Sequence, residues 1–171
     1  KTYTIIIPIY NTYNYLSKCL KSILLQTYKN YKIFLCDDYS EQKEFDKLKK
    51  YKKIKNIEIF RNEIKNLGKY ATLNTILDKI NTDYFLILDS DDTLIHNRLI
   101  LDLIQFGLNT NSYAIRSKYF RTDLTNKIIE YDYGHNSVSF KSEIISKIGN
   151  YYPNRFGSDT EYLMRIKYFL G

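Results

Sequence analysis

Three short runs in the first half of this chain are apolar without interruption. YTIIIPIYN (3–11), YKIFLCDDYS (31–40) and DYFLILDSDD (83–92) do not alternate apolar with polar residues, as a strand with one wet face would. IKNIEIF (54–60) is a fourth strand-like run. A strand that is apolar on both sides must be covered on both sides, so these runs belong inside a sheet flanked by helices. The intervening segments supply those helices. Leu16, Leu20, Ile23 and Leu24 recur at helical spacing, as do Leu73, Ile76, Leu77 and Ile80, and EFDKLKKY (44–51) forms a short helix. Strand and helix therefore alternate, which predicts an α/β domain with a mainly parallel central sheet and a Rossmann-like N-terminal half.

The second half is less regular. Ile100, Leu101, Ile104 and Leu108 predict a helix. YAIRSKYF (113–120) and NKIIEYDY (126–133) read as paired strands, NSVSF (136–140) as a further short one, and KSEIISKIG as a helix stopped by Gly149. Tyr162, Ile166 and Phe169 mark one face of a last helix. The whole, 3–170, reads as one domain. The chain starts at Lys1, not Met, and stops straight after a helical run, so it reads as a piece of a longer protein with further domains.

Composition narrows the class. Of 171 residues, 44% are hydrophobic and 26% charged, an ordinary globular balance and not a disordered one. No apolar run reaches the roughly 20 residues that span a bilayer. The net charge of +7 suits a phosphate-bearing ligand or an anionic surface. The lysines are spread along the chain, with one loose cluster in KLKKYKKIK (47–55), and no nucleic-acid-binding module accompanies them. Cys19 and Cys36 lack metal-knuckle spacing and imply a reducing compartment, hence a cytoplasmic protein or one at the cytoplasmic membrane surface.

In parallel α/β sheets, ligands bind beyond the carboxyl ends of the strands. Those ends carry Tyr10–Asn11, Asp37–Asp38 and the acid cluster Asp89, Ser90, Asp91 and Asp92. Three carboxylates within four residues repel one another unless solvated or given a cation. An oxygen-liganded Mg²⁺ or Mn²⁺ completed by phosphate oxygens suits Asp89 and Asp91; a solvated turn is the plainer reading. Asp38 either caps the next helix or hydrogen-bonds a nucleotide. Lys65, Gly68 and Lys69 precede a helix and face either phosphates or solvent. Asp159, at a helix start in GSDTEY (157–162), is either a cap or a general base.

Four blocks, in order, resemble family 2 glycosyltransferases of the GT-A fold: the P-x-Y-N strand end with its Q-T-Y helix and D-D-x-S strand, then NLGKYATLN, TDYFLILDSDD and GSDTEYLMRI. The resemblance runs from about residue 3 to 169. It implies transfer of a sugar from a nucleotide diphosphate sugar to an acceptor hydroxyl of a glycan, lipid-linked or protein acceptor, with inversion and metal assistance. Carried over by position, Pro8, Tyr10 and Asn11 frame the nucleotide pocket and Asp38 binds the base. Lys69 and Ser90 join the donor site. Asp89 serves the ribose or the metal shell, Asp91 is the main metal ligand, and Asp159 is the catalytic base. Arg165 holds the place of the arginine in the late motif. Two departures stand out: Ser158 replaces the first acid of that motif, and the stretch between Asp92 and Asp159 is short. A degenerate GT-A domain that binds without catalysis is one alternative. FLILDSDDTLI (85–95) also resembles the first motif of haloacid dehalogenase-like phosphatases, with Asp89 as nucleophile, although Asp92 stands where that motif has glycine.

Overall fold

The computed structural model describes residues 1–123, 125, 127–154 and 156–170, with side chains for all of these except 131–137. In order the elements are β1 (Tyr3–Ile9), α1 (Tyr13–Leu24), β2 (Tyr31–Asp37), α2 (Gln42–Leu48), β3 (Ile57–Arg61), α3 (Lys69–Asn74), β4 (Tyr84–Ile87), α4 (Arg98–Leu108), β5 (Ala114–Thr122), β6 (Ile128–Lys141), α5 (Ile144–Ile148) and α6 (Ser158–Leu170). Short 3₁₀ turns follow α2 and α3. The six strands form one sheet in the order β3-β2-β1-β4-β6-β5. The first four are parallel; β6 runs antiparallel to β4, and β5 antiparallel to β6.

The uniformly apolar strands are buried on both faces. Ile5, Ile7 and Ile9 of β1 pack with Leu16, Leu20 and Ile23 of α1 and with Leu99 and Phe106 of α4. Ile6, from the same strand, joins Phe34, Phe85, Leu73 and Tyr162 on the other face. One layer is thus α1, α2 and α4; the other is α3, α5 and α6. Asn74 of α3 ties the second layer together, because its amide donates to Tyr151 O (2.8 Å) and accepts from Tyr151 N–H (2.9 Å). Asn74→Ala orphans both backbone groups and should cost about 2 kcal/mol in denaturant unfolding; a loss below a few tenths would show that the pairing is incidental.

Five sequence expectations change. The helix predicted across 66–80 is only six residues long. Thr75 donates its hydroxyl to Thr72 O (2.7 Å), and Thr75 N–H and Ile76 N–H bond three residues back, so the chain tightens and leaves the α-helix there. The strands expected at 126–133 and 136–140 are one strand, β6, whose register with β5 slips between Arg116–Val138 and Lys118–Tyr133. Leu24 and Phe169 face solvent, the first at the end of α1 and the second near the end of α6. The helix at 98–108 exists, but turned over: it buries Arg98, Leu99, Asp102 and Phe106, while Leu101, Ile104 and Leu108 point outward. The cause is polar. Asp102 accepts from Arg98 Nε (2.7 Å), Ser139 Oγ (2.5 Å) and Ser117 Oγ (3.2 Å), and these bonds fix the rotation of α4. Gly149, at φ 76°, ends α5 as expected.

Candidate active site at the carboxyl edge of the sheet

The strand order reverses direction at β1. From there the chain winds outward to β2 and β3, then returns to place β4 on the other flank of β1. Such a switch point opens a crevice past the strand ends. The β1–β4 ladder stops at Ile6–Ile87, with a last bond from Leu88 N–H to Ile6 O (2.9 Å). Pro8 lies just beyond, where its missing N–H breaks no rung of that ladder. Across the crevice, the hydroxyls of Thr12 and Ser90 meet at 2.7 Å. Asn11, at φ 54°, accepts Glu41 N–H on its side chain (2.9 Å), and its own N–H goes to Ser40 Oγ (2.9 Å). The Tyr10 side chain is exposed beside it.

Asp38 is buried and heavily engaged. Its carboxylate accepts from Leu67 N–H (2.8 Å), Gly68 N–H (2.7 Å), Thr72 Oγ1 (2.6 Å), Asn66 Nδ2 (2.8 Å) and, more weakly, Asn62 Nδ2 (3.3 Å). A carboxylate has about four lone-pair sites, so Asp38 has no acceptor to spare. It pins the loop 62–68 and the start of α3. Gly68 takes φ 89° in that loop, a conformation glycine adopts without strain. Asp37 is buried beneath, near Arg61 (3.6 Å), and burial raises its carboxyl pKa above the usual range.

The pinned loop delivers α3 to the acid cluster. Lys69 Nζ sits 2.5 Å from Asp89 Oδ1, with both side chains about three-quarters buried. A turn closes behind it, Asp92 N–H donating to Asp89 O (3.0 Å). Desolvation by the surrounding chain, then the charges of Asp89 and Asp91, push the Asp92 carboxyl up to about 6, although the residue still reaches solvent. Asp91 is exposed and makes no hydrogen bond or ion pair with the described residues. Cys19 packs behind the cluster with its thiol near Asp89 O (3.7 Å); burial and then the three carboxylates raise it to about 12, so it stays an unreactive thiol.

Asp159 stands in the first turn of α6, half-buried, and accepts Thr160 N–H (2.8 Å). With Lys69, Tyr70 and Tyr151 it lines a cavity of about 20 Å³, room for one water. Tyr70 is not among the candidates that the sequence offers. Burial, then the Asp159 charge and a hydrogen bond to it, hold its phenol well above the ordinary range. Neighbouring residues of α3 thus serve two sites, Lys69 at Asp89 and Tyr70 at Asp159. Only the position of Tyr70 beside Lys69 could have drawn attention to it. Glu161 is taken up elsewhere: Arg165 grips it through Nε (2.5 Å) and Nη2 (2.9 Å) and also donates to Ile148 O and Asn150 O, clamping α5 to α6. Ser158 is buried, and its hydroxyl donates to Asn154 O (3.0 Å).

An open, mainly parallel sheet with this strand order is the GT-A fold, and solved structures with that fold superimpose on it. A mannosyltransferase from Pyrobaculum calidifontis, in complex with GDP-Man and Mn²⁺, matches 96% of this chain and 51% of its own at TM-score 0.77 and 17% identity. Staphylococcus aureus TarS matches 96% and 33% at TM-score 0.75 and 16% identity. The sequence profile of glycosyl transferase family 2 matches residues 4–163, and the chain belongs to that family. An uncharacterized glycosyltransferase of Rickettsia bellii is 33% identical over 85% of this chain and 20% of its own length. The poly(ribitol-phosphate) beta-N-acetylglucosaminyltransferase TarP of S. aureus is 34% identical over 70% of the chain and 37% of its own. The chain thus spans well under half the length of these curated relatives. Membership also sets aside the phosphatase reading of Asp89.

Proposed function

We propose that this domain transfers a sugar from a nucleotide diphosphate sugar to an acceptor hydroxyl, with inversion at the anomeric carbon. The observation that carries this reading is the bridging position of α3, which holds Lys69 on the acid cluster and Tyr70 beside Asp159, so that charge-neutralising and proton-accepting groups face one crevice. In this reading Pro8, Tyr10, Asn11 and Ser90 border the nucleotide. A base N–H reaches Asp38 by displacing the Asn62 amide, the longest of its five contacts. Lys69 moves from Asp89 to a phosphate oxygen. Asp159 takes the proton of the attacking hydroxyl. The acceptor, whether glycan, lipid-linked or protein, and the parts of a longer chain that would hold it belong to the proposal as well.

The acid cluster fits a hard divalent cation. All its side-chain donors are oxygens, Asp91 makes no hydrogen bond or ion pair with the described residues, and Asp89 already draws an ammonium to itself. Among the described residues no three acidic, His or Cys side chains close on one point, so phosphate oxygens would have to complete the shell, as Mg²⁺ and Mn²⁺ allow. A cation held by Asp91 and Asp89 would neutralise the charge growing on the departing diphosphate. Lys69 then competes with it for Asp89. Lys69→Met should tighten Mn²⁺ binding to the donor-free chain about tenfold, read by manganese paramagnetic resonance; unchanged or weaker binding would remove Asp89 from the metal shell.

The experiment that tests the function is turnover. The chain is incubated with a panel of nucleotide sugars, Mn²⁺ and candidate acceptors, and nucleoside diphosphate release and product anomeric configuration are read. Release from one donor with an inverted product supports the reading. Tight donor binding without release from any of them points to the non-catalytic alternative, for which the loss of an acid at Ser158 speaks.

A further inference from the structure

Helix α4 is built inside out, and its neighbourhood says what it faces. Its two charged residues, Arg98 and Asp102, are spent on each other in the interior. Its outward stripe is Leu101, Ile104 and Leu108, exposed by 42%, 50% and 74%. Helix α1 is tied alongside. Gln26 donates to Ile95 O (2.6 Å) and accepts from Leu99 N–H (3.1 Å), and Thr27 N–H reaches His96 O (2.8 Å). That join gathers Leu24, Leu25 and Ile95, all exposed, where the two helices meet.

The same layer is strongly basic. Segments 13–29 and 41–53 carry nine lysines and three carboxylates. Each carboxylate is already paired, Glu41 with Lys43 (2.8 Å), Glu44 with Lys47 (2.6 Å) and Asp46 with Lys49 (2.6 Å). The remaining lysines have no acid on these segments to answer them, and α4 adds no exposed charge. Among the described residues no helix is long and apolar enough to cross a membrane.

We propose that the α1–α2–α4 layer is a docking face for the surface of an anionic bilayer. The α4 stripe and the α1–α4 junction enter the interfacial region, and the lysines of α1 and of 49–53 meet the headgroups. Apolar burial and lysine attraction each bind weakly, and together they hold a protein at a surface. Charge decides the occupant. A second copy docked face to face would bring two lysine fields together, whereas anionic headgroups neutralise them. The face is the outer side of the helix layer on one side of the sheet, and it uses neither the acid cluster nor Asp159, so the inference stands independently of the proposed transfer reaction.

The test is co-sedimentation of the 171-residue chain with vesicles of phosphatidylcholine containing phosphatidylglycerol, and of phosphatidylcholine alone. Binding should be at least about tenfold tighter to the anionic vesicles and should weaken with salt. Leu101→Gln with Leu108→Gln should weaken it by about tenfold or more. Lys21→Gln, Lys52→Gln and Lys53→Gln should each cost roughly fivefold and flatten the salt dependence. Melting temperatures and nucleotide-sugar turnover without vesicles should stay at the parent's values. Equal binding to both vesicle types, no binding, or leucine variants that bind like the parent would overturn the proposal. So would a dimer in sedimentation equilibrium that the leucine variant dissolves, since α4 would then be a self-association surface.

Discussion

Asp159→Asn is expected to lose transfer activity by roughly a hundredfold or more while it binds donor and melts as the parent does. The structure gives Asp159 one task, in the first turn of α6, and the proposed reaction gives it a second; this substitution separates them. As part of the first turn of α6 it accepts Thr160 N–H, and an asparagine oxygen can do the same. As a base it must take a proton, which an amide cannot. Its surroundings suit the second task, because the cavity it shares with Tyr70 and Lys69 leaves room beside the carboxylate. Glu161 is a poor substitute, since Arg165 holds both of its oxygens. Near-parent rates in Asp159→Asn, measured under saturating donor and acceptor, would make the residue a cap and place the base elsewhere.

Asp38→Ala is expected to be the most destabilising change at the site. It removes one buried carboxylate and strands two backbone N–H groups, a threonine hydroxyl and two amides. An orphaned buried donor costs about 1–3 kcal/mol, and water entering the gap recovers part of it. A net loss of roughly 3–5 kcal/mol follows, or about 10 °C or more in melting temperature for a chain of this size. Loop 62–68 and Lys69 would lose their anchor, so donor binding should fall as well. Asp38→Asn keeps one acceptor oxygen and should lose about half as much stability. A variant Asp38→Ala that melts within about 2 °C of the parent would show that the residue is no pin. If donor affinity then fell alone, Asp38 would act purely as a ligand of the nucleotide.

The two substitutions also mark where sequence reading succeeds and where it stops. The strands β1, β2 and β4 were legible because burial on both faces leaves no choice but apolar residues at every position. Their ends were legible because the apolar runs break abruptly into carboxylates, at Asp37–Asp38 and at Asp89, although Asp38 itself is still buried. The interior engagements were not. Asp38 looks the same in sequence whether its oxygens face solvent, a ligand or five donors, and those donors come from residues 24 to 34 positions later. Helix α4 shows the limit most clearly. Its leucine and isoleucine stripe predicts the buried face, but Ser117 and Ser139, far along the chain, capture Asp102 and turn the helix over. Helix α3 fails early because a threonine hydroxyl competes for a carbonyl, a local effect that hydrophobic periodicity does not register. In each case a polar partner distant in sequence or hidden in side-chain chemistry overrode the apolar pattern.

In the proposed reaction the switch point between β1 and β4 holds a nucleotide diphosphate through the acid cluster at Asp89–Asp92. Calorimetric titration of uridine and guanosine diphosphates into the chain, with and without Mn²⁺, tests it most directly, with Asp91→Ala run alongside. One nucleotide should bind at least about tenfold more tightly with Mn²⁺, and Asp91→Ala, folded as the parent, should lose that gain. Equal affinity with and without the metal, or a metal gain retained in Asp91→Ala, would contradict it.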